Sequence, residues 1–280
     1  MDNVTAVDRS AALGIFDSGV GGLTVLKEVL KILPFENCVY FGDVGRTPYG
    51  GRSKDIITQF TRQDVAFLME QKVKFIVCAC NTASSVALED IRDDYPVAMV
   101  GVIEPGARAA AQRTKKGRIG IIGTHATVNS NAYARYIHEI DPKLKVFSLA
   151  CPLFVPLAEE GYIDKEATYL IARDYLQTMR DVDIDTLVLG CTHYPLLKHV
   201  IGDVMGDEVL LIDSGEETAR AARDVLSETN ILNPGASQTP CPEGERRFFV
   251  SDVPEKFGGV ASRFLGQEVS RITRVDISRY

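Results

Sequence analysis

Phe75-Ile-Val-Cys-Ala-Cys-Asn-Thr-Ala-Ser84 is a short apolar run that ends abruptly in a thiol, an amide and a row of hydroxyls. It reads as a strand that presents chemistry at its C-terminal edge. The same arrangement returns 111 positions later in Thr186-Leu-Val-Leu-Gly-Cys-Thr-His-Tyr-Pro195, with Cys191 in the place of Cys80 and Thr192-His193 in the place of Asn81-Thr82. Open α/β sheets bind ligands outside the carboxyl ends of their strands, so two such ends can face one ligand from opposite sides. Two opposed thiols suit a reaction that needs a proton carrier on each face of a carbon.

Working outward, the chain alternates β-type runs with helical stretches, the pattern of parallel sheets built from βα units. Ala12 to Asp17 reads as the first strand and Gly21 to Leu33 as a helix. The glycine-rich turn between them, Asp17-Ser-Gly-Val-Gly-Gly22, sets backbone N–H groups and a helix N-terminus where an anion could bind. It lacks the ending of a P-loop and the spacing of a dinucleotide fold. A plain helix cap is the competing reading. Asn37 to Gly42 is the second strand, and the polar loop Asp43 to Arg52 follows it. Ser53 caps a helix running to Lys72, Val73 to Ala79 is the strand beneath Cys80, and Thr82 to Tyr95 is the next helix. Asn81 and Thr82 then occupy a helix N-terminus, whose dipole favours a nearby thiolate or carboxylate.

Val97 to Val102 closes this half, and a second cycle opens at Arg118. Gly14-Ile-Phe-Asp-Ser18 aligns with Gly120-Ile-Ile-Gly-Thr124 at an offset of 106, close to the cysteine offset, as in a divergent internal repeat. A helix is expected over residues 127–140, a strand over Lys145 to Leu149 and a helix over Asp164 to Arg180. Val209-Leu-Leu-Ile-Asp-Ser-Gly215 ends in an echo of Asp17-Ser-Gly19. Asn230 to Glu245 reads as an exposed loop. A strand at Phe248 to Asp252 and a helix at Pro254 to Leu265 are expected to return to the first domain.

At 280 residues, 45% hydrophobic and 25% charged, the composition is that of a globular protein able to bury a core without staples. A net charge of -7 argues against a nucleic-acid footprint. No run approaches a membrane span and Met1 to Asp8 has no signal-peptide pattern, so a cytoplasmic location is expected. The cysteines (38, 78, 80, 151, 191 and 241) form no CxxC pair and read as free thiols. Cys38 and Cys78 read as small buried hydrophobes, and Cys151 and Cys241 as loop residues before prolines. Cys78, Cys80, Cys191 and His193 together would make four metal ligands, which keeps a metal site open as a minority reading.

Gly14-Ile-Phe-Asp-Ser-Gly-Val-Gly-Gly-Leu-Thr-Val25, Tyr40-Phe-Gly-Asp43, Pro48-Tyr-Gly50, Ala79-Cys-Asn-Thr-Ala-Ser84 and Leu189-Gly-Cys-Thr-His-Tyr-Pro195, in that order, resemble the glutamate racemases. The resemblance runs from about residue 13 to 266. It implies an α/β fold of two pseudosymmetric open parallel-sheet domains with the active site in the cleft between them. The expected division is 1–104, with 214–280 returning to it, and 105–213. It further implies a cofactor-independent, homodimeric enzyme that interconverts L- and D-glutamate and supplies D-glutamate to peptidoglycan.

By the same resemblance Cys80 takes the proton from D-glutamate and Cys191 from L-glutamate. Asp17 assists Cys80, His193 assists Cys191, and an acidic residue, Glu160 in preference to Glu159, supports His193. Substrate carboxylates and amine would be held by Asp17, Ser18, Tyr49, Gly50, Asn81, Thr82, Thr192 and His193. A reference thiol pKa of ~8.5 needs only modest depression to give one thiolate beside one thiol. Aspartate racemase is the near alternative, and an inert amino-acid-binding cleft is the alternative from another class. The cysteine pair separates the last of these, since a binding protein has no use for a thiol on each side of its ligand.

Overall fold

Leu13-Gly-Ile-Phe-Asp17 and Phe75-Ile-Val-Cys78 carry buried residues at every position, which a strand achieves only when both faces of its sheet are covered. The computed structural model describes residues 8–237, 244–253, 257–269 and 271–280; Cys241 lies outside them. The first half runs β1 (Leu13–Asp17), α1 (Leu23–Ile32), β2 (Cys38–Gly42), α2 (Lys54–Glu70), β3 (Phe75–Cys78), α3 (Asn81–Val86), α4 (Leu88–Ile91), β4 (Met99–Gly101) and α5 (Ile103–Arg113). The second runs β5 (Arg118–Gly123), α6 (His125–Asn129), α7 (Ala132–Ile140), β6 (Lys145–Ala150), α8 (Phe154–Glu159), α9 (Glu166–Asp181), β7 (Thr186–Gly190), α10 (Lys198–Met205) and β8 (Leu210–Asp213). Then come α11 (Ser214–Glu228), β9 (Arg246–Val250), α12 (Phe257–Leu265) and β10 (Ile272–Arg274).

The strands form two sheets, ordered β10-β9-β2-β1-β3-β4 and β6-β5-β7-β8, and every pairing is parallel. The series β2-β1-β3-β4 in one sheet is matched by β6-β5-β7-β8 in the other. The repeat read from the offset of 106 is thus a repeat of topology. Side chains alternate across each strand as the pleat requires. Phe75, Val77 and Ala79 point into a core with α1, α11 and α12, while Ile76, Cys78 and Cys80 point into the opposite core. Cys38 and Cys78 are buried among apolar side chains, as expected, and burial pushes both thiols up. Each fully buried Leu, Ile, Val or Phe of such a core contributes ~1.5 to 3 kcal/mol.

Several elements depart from expectation. The helix expected over Thr82 to Tyr95 is broken at Ala87, where Ser84 donates to Cys78 O at 2.9 Å and packs against Gly101 of β4. The helix over residues 127–140 divides at Asn131, which adopts the left-handed conformation that Asn tolerates better than most residues. Helix α5 is an additional element. Its Pro105 lies in the first turn, where the missing N–H would have had no partner. Helix α11 is likewise additional. Asp213 repeats the contact of Asp17 with the glycine two residues on, accepting from Gly215 N at 2.9 Å as Asp17 accepts from Gly19 N at 2.9 Å, and it also caps α11 by accepting from Glu216 N at 3.4 Å. The chain enters the four-stranded sheet through α5, which starts at Ile103, so a division after residue 104 falls inside a helix. It returns through α11, and β9 pairs with β2.

Two buried charge clusters brace the six-stranded sheet. Lys74 Nζ lies 2.6 Å from Glu36 Oε2 and donates to Arg9 O at 2.6 Å, with the Lys74 side chain fully buried. Arg46 bridges Asp43 at 2.6 Å and Asp64 at 3.0 Å. Removing one partner of a buried pair leaves the other uncompensated and costs ~3 to 5 kcal/mol. Lys74→Met is therefore expected to lower stability by ~3 to 5 kcal/mol in urea titrations. An unchanged midpoint would show that the pair does not hold this face.

Candidate active site

The strand order decides where a site can form. In each sheet the chain moves outward in opposite directions from two central strands, β1 and β3 in one and β5 and β7 in the other, which makes their carboxyl ends switch points. Cys80 follows β3, and Asp17 ends β1 with Ser18 after it; Cys191 follows β7 and Thr124 follows β5. The contacts described below press these two crevices against each other.

At the first, Asp17 is buried and its Oδ2 accepts from Gly19 N at 2.9 Å, while its Oδ1 has no partner in the protein. Burial pushes this carboxyl up against the opposing pull of His193 and the N–H groups of the turn. Cys80 is the N-cap of α3. Its thiol lies 3.5 Å from Ser18 Oγ, and its sulfur accepts from Ala83 N at 3.5 Å. The helix N-terminus does not win here. Burial first, and Asp17 second, push the Cys80 thiol up to about 12, against smaller contributions from Ser18 and Ala83. The expected depression is thus reversed, and Cys80 rests as a thiol.

At the second, Cys191 Sγ lies 3.7 Å from His193 Nδ1, and His193 Nε2 lies 2.8 Å from Glu159 Oε1. Burial opposes a charge on the ring. The hydrogen bonds to Cys191 and Glu159 outweigh it and lift the His193 pKa to about 10. The carboxylate on His193 is that of Glu159 and not of Glu160. Glu159 is the last residue of α8 and faces the strand end, whereas Glu160, one residue on, turns to a surface hollow with Leu157 and Tyr162.

The seam between the halves explains most of the remaining residues. Thr24 Oγ1 donates to Thr192 O at 2.8 Å, and a Cβ on Gly21 would stand 2.2 Å from Thr192 Oγ1 and 2.7 Å from the His193 ring. One turn, Asp17 to Gly22, therefore touches both cysteine segments. Asn81 Nδ2 donates to Tyr133 Oη at 2.9 Å, leaving Asn81 Oδ1 buried without a partner, and Thr82 Oγ1 meets Thr124 Oγ1 at 3.0 Å. Gly50 packs on Thr124, 3.0 Å from where its Cβ would be. Tyr49 is different. It is buried and its hydroxyl lies within hydrogen-bond reach of the Asp43 and Asp64 carboxyl groups, so any contact with a ligand falls to its main chain. Among the described residues no three His, Cys, Asp or Glu side chains stand where they could share a metal ion.

Thr124, Tyr133 and Ser214 join the seam without having been singled out by sequence. Ser214 Oγ donates to Leu189 O at 3.1 Å and lies 3.5 Å from Asn81 Nδ2. The offset pairing Ser18 with Thr124 carried a signal for the first. The echo of Asp17-Ser-Gly19 at residues 213–215 carried one for Ser214; Tyr133 carried none, because a helix that only the fold brings to the seam supplies it.

The profile of the Asp/Glu/Hydantoin racemase family matches residues 50–222. A glutamate racemase of Geobacter metallireducens is 51% identical over 266 residues, 95% of this chain and 97% of the relative. Among solved structures, glutamate racemase from Francisella tularensis in complex with D-glutamate superposes with a TM-score of 0.90 at 37% identity, covering 97% of this chain and 100% of that one. Glutamate racemase from Thermus thermophilus in complex with β-chloro-D-alanine gives 0.87 at 44% identity, covering 98% and 100%.

The charge on His193 is held by Cys191 and Glu159 together. Its raised pKa stabilises the folded state fully below the unfolded value of ~6.5, and this stabilisation is lost as pH rises through about 10. Glu159→Gln keeps the volume and removes the charge, so the ring is expected to titrate at least ~1 unit lower, the worth of ~1.4 kcal/mol. With four histidines in the chain, NMR of the imidazole protons can follow it. An unmoved titration would mean that Glu159 does not control the ring.

Proposed function

Since the chain belongs to the Asp/Glu/Hydantoin racemase family, and within it to the glutamate racemases, we propose that it interconverts L- and D-glutamate by a two-base mechanism without a cofactor. The observation that carries this reading is the placement of one cysteine on each side of a seam: the Cys80 thiol lies 3.5 Å from Ser18 of the turn Asp17 to Gly22, and Thr192 and His193, which follow Cys191, lie against Gly21 of the same turn. Inversion at an α-carbon needs one group to remove a proton and another to return one on the opposite face.

From L-glutamate, the Cys191 thiolate takes the α-proton, and the bonding electrons remain on carbon. The Cys80 thiol then donates its proton to the other face, giving D-glutamate with the sulfur charges exchanged. Proton exchange with solvent resets the pair. The positive ring of His193 beside Cys191 means that a proton leaving this sulfur leaves no isolated charge behind. The high pKa of Cys80 suits its part as donor.

For the reverse reaction Cys80 must ionise against Asp17. A substrate ammonium beside Asp17 would offset that repulsion, and the buried, unpartnered Oδ1 atoms of Asp17 and Asn81 are acceptors fitted to such a donor. Ser18, Thr82 and Thr192, with the main chain at Tyr49 and Gly50, supply donors for the carboxylates.

The same reading takes the protein as a cytoplasmic homodimer that supplies D-glutamate for peptidoglycan. It takes residues 1–104 with 214–280 and residues 105–213 as the two bodies that close on the substrate. No helix among the described residues is long and apolar enough to cross a membrane.

Cys80→Ala and Cys191→Ala should each reduce racemisation by at least ~10²-fold, the lower end for loss of a general acid or base. In heavy water the variant keeping Cys191 should place deuterium only in L-glutamate, and the variant keeping Cys80 only in D-glutamate, by chiral separation and mass spectrometry. Full racemisation by either variant, or exchange into the wrong enantiomer, would refute the assignment. Wild-type protein should also prefer glutamate over aspartate by at least ~10-fold in kcat/KM, since a shorter acid leaves buried donors unpaired at ~1 to 3 kcal/mol each. Comparable values would remove the substrate assignment and leave the two-thiol mechanism standing.

A further inference from the structure

Helix α8 carries Glu159 as its last residue, and the way this helix ends is unusual in what it borrows. Gly161, at φ +74, begins the left-handed stop: Gly161 N donates to Ala158 O at 3.2 Å and Tyr162 N to Leu157 O at 2.8 Å. This pair of bonds is the Schellman arrangement, which satisfies two of the four carbonyls that a helix C-terminus leaves open. The carbonyl of Glu159 is not one of them. It accepts instead from Arg263 Nη1 at 2.7 Å, a donor 104 residues away on α12.

The guanidinium also lies over Gly161, where a Cβ would stand 2.9 Å from Arg263 Cζ. A side chain at position 161 would require the guanidinium to move. Its positive charge sits at the negative end of the helix, where a cation is favoured. The next residue, Phe264, is fully buried and sets its ring edge-on to His193, with centroids 5.2 Å apart at 82°. Ala158 and Phe264 share one core with α1. Two successive residues of α12 thus hold both members of the pair on Cys191: one grips the backbone of Glu159 and the other flanks the ring of His193. Helix α12 packs on α1, in the half that carries Cys80.

We propose that Arg263 is a positioning residue for proton transfer at Cys191: it fixes the end of α8 so that the Glu159 carboxylate stays on His193 Nε2. The inference rests on the two-thiol reading above. The bond Arg263 makes is to the Glu159 carbonyl, so its effect passes through Glu159 and His193. Because it reaches from α12 to α8, the dyad on the Cys191 side is complete only when the two halves are together. Proton transfer on one face is thereby tied to closure of the cleft.

The test uses Arg263→Met, which keeps the stem and removes the donors, beside Arg263→Lys, which can still donate to the Glu159 carbonyl. In Arg263→Met, kcat/KM should fall about 10-fold, equally in both directions because enantiomers have equal free energies, as expected for loss of a charged hydrogen bond worth ~1.4 kcal/mol. The Lys variant should recover most of it.

Deuterium isotope effects on kcat/KM separate positioning from general loosening. If the Cys191 step alone is slowed, the effect should rise for α-deuterated L-glutamate, from which Cys191 takes the deuteron. It should fall towards unity for α-deuterated D-glutamate, from which Cys80 takes it. A loss of activity with both effects unchanged, or an unaltered kcat/KM, overturns the proposal. Circular dichroism and a thermal melt confirm that the variants are folded. Wild-type protein that failed to racemise glutamate would instead overturn the functional reading itself, so the two failures are distinguishable.

Discussion

The molecule depends on a close approach of backbone between its two halves. Thr24 on α1 donates a hydroxyl to the carbonyl of Thr192 at 2.8 Å, and Gly21 lies so near the Thr192 and His193 side chains that any Cβ would collide with them. Gly50 makes a similar approach to Thr124. These contacts bring two sheet switch points together face to face, and with them the segments carrying the two cysteines. Alanine at position 21 would push the turn from Thr192, and a displacement of even ~1 Å matters where reacting atoms must sit within ~3 to 3.5 Å.

The halves share a strand order but not an electrostatic environment, and in the proposed two-base reaction that difference would give each thiol its part. Cys80 has a buried carboxyl for a neighbour and no cation, so burial and Asp17 act together and keep its proton on. Cys191 has His193, whose charge is sustained by the hydrogen bonds to Cys191 and Glu159 in spite of burial. A symmetric pair of thiols would have had no preferred resting state. Here a protonated thiol on one side faces a thiol beside a charged histidine on the other, and in the proposed reaction the substrate ammonium would reduce the asymmetry when Cys80 acts as base.

Other buried charges keep the frame still without taking part. Lys74 and Glu36 tie the start of β3 to the loop before β2. Arg46, Asp43, Asp64 and Tyr49 lock the loop that carries Gly50, and the hydroxyl of Tyr49 is spent in that lock. A loop so held presents its main chain at a fixed position, which costs less ordering when a ligand arrives. The C-terminal helix α12 performs a comparable service from behind, with Arg263 on the end of α8 and Phe264 on the ring of His193.

The amino-acid sequence alone determined the strands other than β10, because apolar runs such as Phe75 to Cys78 and Thr186 to Gly190 are local signals of burial on both faces, whereas Ile272–Arg274 is a short, largely exposed edge strand without that signal. It determined the parallel α/β class, the repeat, and the two cysteines at equivalent strand ends, all visible in composition and spacing. It did not determine α5 or α11, whose starts carry Pro105 and the Asp213 cap and resemble loops until the neighbours are in place. Nor could it choose between adjacent Glu159 and Glu160, since one residue at a helix end rotates a side chain by ~100° and only the packing of α8 says which faces the ring. The pKa of Cys80 was likewise out of reach. A helix N-terminus predicts a depressed thiol, and the opposite outcome comes from complete burial beside Asp17, 63 residues earlier in the chain. Partners distant in sequence set these properties, and only the tertiary structure brings them together.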